Sequence, residues 1–205
     1  MNETASVHDS IRALLDREGS DKGRWYGGLY EVLLEPIRHT VRYVVEIGIG
    51  TMLPDAPSSM VEWAGPNYRP GASLRAWRDY FPNAEIHGID PAPDTDVVGE
   101  SRIITHHIDS RNTARVTELF VRWCHVVPDL IIDDGLHEPE AQIATMKNFL
   151  PRAKPGGLYV LEDVDLNHVK TITAEIDRIS PNCIFVPDSR PEPWVAIVIK
   201  KSLAG

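Results

Sequence analysis

Two short stretches of the sequence carry side chains whose types and spacing suit metal chemistry. They are PDLIIDDGLH, residues 128–137, and LYVLED, residues 158–163. Each is an apolar, partly β-branched run that ends abruptly in carboxylates, which is typical of a strand buried on both faces. Because ligands bind at the carboxyl ends of parallel strands, we expect the acids of both stretches to converge. The converging set is Asp133, Asp134, Glu162 and Asp163, with His137 three residues beyond Asp134.

Four converging carboxylates would repel one another, and at least one would have to stay protonated unless a cation lay among them. A hard divalent cation removes this conflict, and oxygen ligands favour Mg²⁺ or Mn²⁺ over zinc. Only one of two adjacent residues readily points at a given site, so we expect a structural role for Asp133. His137 is either a general base or a surface histidine that caps the helix beginning near Glu138.

A third stretch, YVVEIGIG at residues 43–50, indicates a buried strand that closes on Gly48 and Gly50. Glycines directly after such a strand let the backbone approach a nucleotide-like cofactor. Residue 53 is Leu rather than the third glycine of the dinucleotide fingerprint, and Glu46 would repel a pyrophosphate, so NAD is disfavoured.

Two further predicted strands, AEIHGID and RIITHHID, also end in acids, Asp90 and Asp109. A carboxylate at the tip of the second strand can bind both hydroxyls of a ribose. Asp109 has an alternative role as the cap of the helix that follows it.

The order of these elements predicts an α/β fold, a Rossmann-like sandwich with a seven-stranded, mostly parallel sheet. Its late strands, CIFVP and WVAIVIK, form an antiparallel C-terminal hairpin. We expect a single domain over residues 1–205, since this length suits one core. The predicted helices include residues 8–18, 29–38 and 73–81, the last capped by Ser73.

Two segments resist a single interpretation. Residues 19–28 are rich in glycine and predict a turn, which is either a connector or a binding loop. Residues 51–72 carry four prolines without a clean period. This segment is either an Ω-type surface loop or a functional loop whose Trp63 and Tyr68 stack on a sugar face.

Composition excludes several classes of partner. The formal net charge of −9 and the absence of any Lys/Arg cluster argue against nucleic acid and anionic membranes. Cys124 and Cys183 lie in apolar surroundings without metal-ligand spacing, so we expect both to be reduced core residues. The sequence contains no signal-peptide pattern and no apolar run long enough for a membrane span, and we expect a cytoplasmic protein.

Together, EIGIG, Asp90, Asp109, PDLIIDDG and PGGLYVLED resemble the class I S-adenosylmethionine-dependent methyltransferases. More narrowly, GSDKGRWY, SLRAWRDYFP, IIDDGLH and PGGLYVLED resemble the metal-dependent sugar O-methyltransferases that modify macrolide deoxysugars. They are also similar to small actinobacterial enzymes that act on mannose-containing oligosaccharides. The resemblance covers roughly residues 19 to 165.

The resemblance implies roles for particular residues. Asp134, Glu162 and Asp163 would bind Mg²⁺ or Mn²⁺. His137 would be the general base, and Asp134 would be catalytic as well as a metal ligand. The implied S-adenosylmethionine site consists of Glu46, Gly48, Gly50, Asp90, Asp109 and Ser110. Leu136 stands where the macrolide enzymes commonly have Ser, and dimerisation and acceptor identity stay open.

The implied activity is methyl transfer from S-adenosylmethionine to a metal-bound hydroxyl of a sugar or oligosaccharide. For the acceptor, the resemblance implies the 1-OH of a 3-O-methylated mannoside in methylmannose polysaccharide biosynthesis. Two alternatives remain: a catechol-type small-molecule O-methyltransferase and a non-catalytic S-adenosylmethionine-binding or sugar-binding protein. Turnover of a diphenol would favour the first, and cofactor affinity without transfer would favour the second.

Overall fold

A seven-stranded sheet lies at the centre of the computed structural model, which describes residues 9–179, 183–187 and 194–202. The strands are β1 Tyr43–Ile47, β2 Glu85–Asp90, β3 Ile103–His107, β4 Leu130–Asp133, β5 Leu158–Asp165, β6 Cys183–Pro187 and β7 Trp194–Lys200. Their order across the sheet is β3-β2-β1-β4-β5-β7-β6. Strands β1 to β5 are parallel, and β7 runs antiparallel to both β5 and β6. The predicted fold class is confirmed.

Helices cover both faces of this sheet. They are α1 Ile11–Glu18, α2 Lys22–Trp25, α3 Gly27–Leu34, α4 Val61–Ala64, α5 Ala72–Tyr80, α6 Thr113–Arg122, α7 Pro139–Phe149 and α8 Val169–Ile179. Short 3-10 turns follow α3 and α7 at Glu35–Ile37 and Leu150–Arg152. Within the described residues, no helix is long and apolar enough to cross a membrane.

The alternation of side chains along each strand divides the core into two layers. Val44 of β1 packs in the layer with α1, α3 and α5, whereas its neighbour Val45 packs in the layer with α6, α7 and α8. In β4, Ile131 and Ile132 divide in the same way. Both faces of each strand are therefore apolar, which explains the uninterrupted hydrophobic runs in the sequence.

The predicted turn at residues 19–28 is wrong, because this segment contains α2 and the beginning of α3. Its glycines allow close packing on α1. A Cβ at Gly23 would collide with the Asp16 side chain, and one at Gly27 would lie 2.7 Å from Arg12 Nε. Glycine is thus required by contacts between helices, which the local sequence pattern does not show.

Two predictions about individual side chains are also wrong. Helix α5 begins after Gly71 without a side-chain cap, and Ser73 Oγ donates a hydrogen bond to Glu46 instead (2.8 Å). Cys124 is exposed rather than buried in the core. The side chain of Cys183 lies outside the described part of the chain.

Residues 51–72 are irregular, as predicted, apart from α4 and Ala72, the first residue of α5. The Tyr68 hydroxyl donates to the Ile49 carbonyl (3.1 Å), and Gly71 N donates to the same oxygen (3.0 Å). The segment is thereby fixed against the glycines that follow β1. Trp63 is 82% exposed, so of the two rings predicted to stack on a sugar, only Trp63 is freely accessible.

Candidate active site

The carboxyl ends of β1, β4 and β5 lie side by side at the point where the strand order reverses. From β1 the chain continues to β2 on one side, while β5 lies on the other side of β4. In open α/β sheets a crevice forms at such a switch point. Here it is lined by acids from all three strand ends: Glu46, Asp134, Glu162 and Asp163.

The two adjacent acids at the end of β4 have different environments. Asp133 is buried and accepts hydrogen bonds from the Tyr159 hydroxyl (2.5 Å) and from Gly135 N (3.4 Å). Burial raises the pKa of Asp133 to about 7. Asp134 instead turns towards Lys22 and His137. This division matches the structural role predicted for Asp133.

A β-bulge allows both acids of β5 to reach the crevice. The pairing of β5 with β7 shifts between Leu161 and Val164, and Asp163 has a left-handed backbone conformation (φ 53°). Successive residues of a regular strand point to opposite faces, and a bulge re-aims one of them. The Gln142 side-chain amide donates to the carbonyls of Glu162 (3.2 Å) and Asp163 (3.1 Å), which stabilises this irregular backbone.

His137 lies at the mouth of the crevice. Its Nε2 is 3.2 Å from Asp134 Oδ1 and 3.6 Å from Asp163 Oδ2. The His137 side chain is 39% exposed, compared with 25% for Asp134 and 14% for Asp163. Burial alone would lower the pKa of His137, but the hydrogen bond and charge of Asp134 and the charge of Asp163 raise it above 6.5. The Trp194 ring packs beside the imidazole, with the ring centroids 6.1 Å apart.

Three donors that the sequence analysis missed come from α2 and the residues that follow it. The Lys22 ammonium contacts Asp134 Oδ2 and Glu162 Oε2, the Tyr26 hydroxyl donates to Asp163, and the Tyr30 hydroxyl donates to Glu162. Their spacing of four residues places them on one helical face. The same spacing is present in KGRWYGGLY, but the glycines of this stretch indicate a turn rather than a helix.

Glu46 lies at the buried end of the crevice. Its Oε2 accepts hydrogen bonds from Ser73 Oγ (2.8 Å) and Trp77 Nε1 (2.9 Å). Its Oε1 is 3.4 Å from Lys22 Nζ and, among the buried side-chain atoms of the described residues, is the one without a hydrogen bond. Burial raises the pKa of Glu46. A buried acceptor that lacks a donor fits a ligand with an amine, such as the amino-acid end of S-adenosylmethionine.

Gly48 and Gly50 shape the loop above Glu46. Both have positive φ, 78° and 73°. A Cβ at Gly48 would collide with the backbone of Asp134, and one at Gly50 would lie 2.5 Å from the Tyr68 hydroxyl. The glycines therefore let this loop pack closely on the end of β4 and beneath residues 51–72.

The remaining predicted cofactor residues lie along the β2 and β3 edge of the sheet. Asp90 is buried and accepts hydrogen bonds from Ile49 N (3.1 Å) and Ala92 N (2.9 Å), which fixes the glycine loop beside it. Ser110 Oγ shares a hydrogen bond with Thr145 of α7 (2.8 Å).

Asp109 neither ends β3 nor caps the helix that follows it. Strand β3 ends at His107, two residues earlier, and α6 is capped by Asn112. Asp109 is 41% exposed and pairs with Arg111, whose hydrogen bonds and charge lower the pKa of the carboxyl group. Whether it touches a cofactor stays a prediction.

The site offers a donor set suited to a hard divalent ion. Asp134, His137 and Asp163 each present one ligand atom, and these atoms lie within 4.8 Å of one another. Glu162, the third predicted ligand, lies beside them and is bridged to Asp134 by Lys22. Lys22 faces the carboxylates of Asp134, Glu162 and Glu46, and burial raises the pKa values of Glu162 and Glu46.

The fold is similar to that of solved methyltransferases. The structure matches that of MycE methyltransferase from the mycinamycin biosynthetic pathway, in complex with Mg, SAH and mycinamycin VI, with a TM-score of 0.72 and 23% identity. The match covers 97% of this chain and 56% of that one. Human methyltransferase-like protein 13, in complex with SAH, matches with a TM-score of 0.59 and 14% identity, over 82% of this chain and 76% of that one.

The relatives by sequence are more specific. The chain is 35% identical over 162 residues to 8-demethyl-8-alpha-L-rhamnosyl tetracenomycin-C 2'-O-methyltransferase of Streptomyces olivaceus, over 77% of this chain and 38% of that protein. It is 32% identical over 170 residues to L-olivosyl-oleandolide 3-O-methyltransferase of Streptomyces antibioticus, over 80% of this chain and 39% of that protein. No family model matches. The resemblance to sugar O-methyltransferases is thereby confirmed, although the chain spans about two fifths of these relatives' length.

Proposed function

We propose that this protein is an S-adenosylmethionine-dependent, Mg²⁺-dependent O-methyltransferase that acts on a sugar hydroxyl. The observation that carries this proposal is the meeting of His137, Asp134 and Asp163 at the switch point of the sheet. The similarity to enzymes that methylate glycosylated natural products supports the choice of a sugar acceptor.

Asp134, Glu162 and Asp163 would hold the metal ion, and Glu46, Gly48, Gly50 and Asp90 would line the cofactor site. When bound, S-adenosylmethionine supplies the methyl group and Mg²⁺ supplies positive charge that lowers the pKa of an acceptor hydroxyl. The residues of the chain align the acceptor oxygen with the methyl carbon, since in-line displacement depends on geometry.

His137 has the position of the general base. Its imidazole is the most exposed member of the cluster, so an acceptor hydroxyl can approach it from solvent. Because Nε2 donates its hydrogen to Asp134 Oδ1, the other ring nitrogen, Nδ1, accepts the proton, and the Asp134 carboxylate stabilises the imidazolium that results. Metal ligation and base catalysis thus share one carboxylate.

For the acceptor, we propose the 1-OH of a 3-O-methylated mannoside in methylmannose polysaccharide biosynthesis. The support is the motif resemblance described above, together with Trp194, whose ring packs beside His137. An aromatic side chain at this position gives the apolar face of a pyranose a surface to stack on.

A methyl-transfer assay tests the proposal. Purified protein is mixed with S-adenosylmethionine, Mg²⁺ and, in separate reactions, a 3-O-methylmannoside, an unmodified mannoside and a diphenol. We expect transfer to a mannoside that EDTA abolishes. Transfer to the diphenol alone would favour the catechol-type enzyme, and binding of S-adenosylhomocysteine without transfer to any acceptor would favour the non-catalytic alternative.

Three further points stay predictions. They are the single methyltransferase domain over residues 1–205, the cytoplasmic location, and a partner set limited to sugar acceptors, with dimerisation open.

A further inference from the structure

Lys22 has a position in the crevice that none of the assigned roles explains. Its ammonium contacts one oxygen of Asp134 and one of Glu162, and it lies 3.4 Å from Glu46 Oε1. The Lys22 side chain is 5% exposed. A lysine this deeply buried requires paired charges, and three carboxylates provide them.

The Lys22 ammonium therefore bridges two of the three acids expected to bind the metal ion. A divalent ion that ligates Asp134 and Glu162 would lie within a few ångströms of this ammonium. Two cations at such a separation in a low-dielectric crevice repel each other strongly. Lys22 and a metal ion consequently cannot bind Asp134 and Glu162 at the same time.

We propose that Lys22 is a tethered cation that holds Asp134 and Glu162 together in the metal-free protein and competes with the divalent ion for them. This inference rests on the proposed function, because it concerns the same metal site. Lys22 is a positioning residue: it keeps the carboxylates from separating under their own repulsion, and it weakens metal binding in return.

Glu46 provides the position to which the ammonium moves. Its Oε1 lacks a hydrogen bond, is fully buried and is already 3.4 Å from Lys22 Nζ. A small rotation of the lysine side chain would exchange the contacts with the metal-binding acids for a hydrogen bond to Glu46. When a metal ion occupies its site, the Lys22 ammonium would then lie against Glu46, the acid that faces the cofactor site.

The direction of the effect on metal affinity distinguishes competition from simple support. In Lys22→Met and Lys22→Gln we expect Mn²⁺ to bind at least about tenfold more tightly than in the unmodified chain, because the competing charge is gone. Gln retains hydrogen-bond donors for the acids, so this variant separates the loss of charge from the loss of hydrogen bonds. Lys147→Met is the control, because Lys147 pairs with Glu175 on the surface.

Affinity is measured by titration calorimetry and by electron paramagnetic resonance of free Mn²⁺, with folding checked by circular dichroism. In the absence of metal, we also expect both Lys22 variants to melt at a lower temperature than the unmodified chain. Added Mn²⁺ should raise the melting temperature of the variants more than that of the unmodified chain. Unchanged or weaker Mn²⁺ binding in a folded Lys22 variant would overturn the inference. Absence of binding in every chain, the unmodified one included, would instead overturn the metal site on which the proposed function rests.

A measurement on the unmodified sequence covers the case in which the variants do not fold. In protein labelled with ¹⁵N-lysine, the side-chain ammonium resonance of Lys22 should shift when Mg²⁺ saturates the site. A resonance that stays unchanged at saturation would show that the ammonium keeps its place, which contradicts the exchange proposed here.

Discussion

The left-handed conformation of Asp163 is the local feature on which the site most depends. A non-glycine residue with φ of 53° costs about 1–3 kcal/mol, and Asp tolerates this region better than β-branched residues do. Tyr26 binds the Asp163 carboxylate, and Gln142 binds its carbonyl. These contacts offset the backbone strain, and the bulge brings a second carboxylate of β5 into the crevice.

The general-base role proposed for His137 leads to a prediction about rate and pH. In His137→Gln we expect kcat to fall about 10²–10⁴-fold with the affinity for S-adenosylhomocysteine unchanged, because only the proton transfer is lost. In the unmodified protein the rate should rise as the pH passes the His137 pKa, which the neighbouring acids hold above 6.5, since a base acts when neutral. The variant's pH profile should lack this rise.

His168→Gln is the matched control, because His168 lies in the turn after β5. Steady-state kinetics between pH 6 and 9 provide the measurement. A His137→Gln variant with ordinary turnover would remove the general base from the account.

The collision expected at Gly48 gives a prediction about stability. Gly48→Ala should destabilise the fold by about 2–4 kcal/mol, because the added Cβ meets the backbone of Asp134 in addition to the strain of a positive φ. Gly99 also has a positive φ of 79°, but a Cβ there would meet nothing within 4 Å. Gly99→Ala should therefore cost only about 1 kcal/mol.

Urea denaturation of both variants measures these differences. Equal losses in the free energy of unfolding for the two variants would show that the close approach of the glycine loop to the end of β4 does not affect stability.

At the scale of elements, the strands could be predicted from the sequence and the acid-binding helices could not. Apolar runs revealed β1, β4 and β5, because burial on both faces leaves a local signal. The division between Asp133 and Asp134 followed from strand alternation. The same rule would have separated Glu162 from Asp163, and the bulge that unites them leaves no comparable pattern.

The segment that carries Lys22 shows why the rest was missed. Its glycines indicate a turn when only neighbouring residues are considered. They are present because α1 packs against them, which is a contact between elements. Asp109, which the family resemblance places in the cofactor site, pairs with Arg111 at the surface.

A pair of histidines on β2 and β3, of which His87 is buried and His106 half-buried, predicts how stability depends on pH. His87 lies between Glu85 (2.8 Å) and His106 (3.3 Å), and Trp123 packs against both rings. Burial lowers the pKa of His87 and lowers that of His106 to about 4, against an ordinary value of 6.5. As the pH decreases, these histidines are therefore protonated at a higher pH in the unfolded chain than in the folded protein. The stability of the fold should fall as the pH decreases from about 6.5 to about 4.

Thermal melts across this pH range test the dependence. His106→Phe, which keeps an aromatic ring without a titrating group, should show a smaller decrease in melting temperature, whereas the exposed His39→Gln should match the unmodified protein. An undiminished decrease in His106→Phe would contradict the assignment.

At the scale of the whole molecule, the sheet order brings the proposed metal site and the proposed cofactor site to one edge. Strand β1 carries Glu46 and leads into the glycine loop, and the segment that follows its neighbour β4 carries Asp134 and His137. Lys22 contacts acids from both strands, so the two halves of the site are joined by one side chain. A change in the metal half is therefore expected to be felt in the cofactor half.

The most direct test of this account is the anomalous diffraction of crystals grown with Mn²⁺ and without S-adenosylhomocysteine. We predict one Mn²⁺ peak within about 2.0–2.3 Å of oxygens from Asp134, Glu162 and Asp163, with the Lys22 ammonium turned towards Glu46. A peak elsewhere, or none at saturating Mn²⁺ with these acids still bridged by Lys22, would contradict the claim that these strand ends hold a catalytic metal ion.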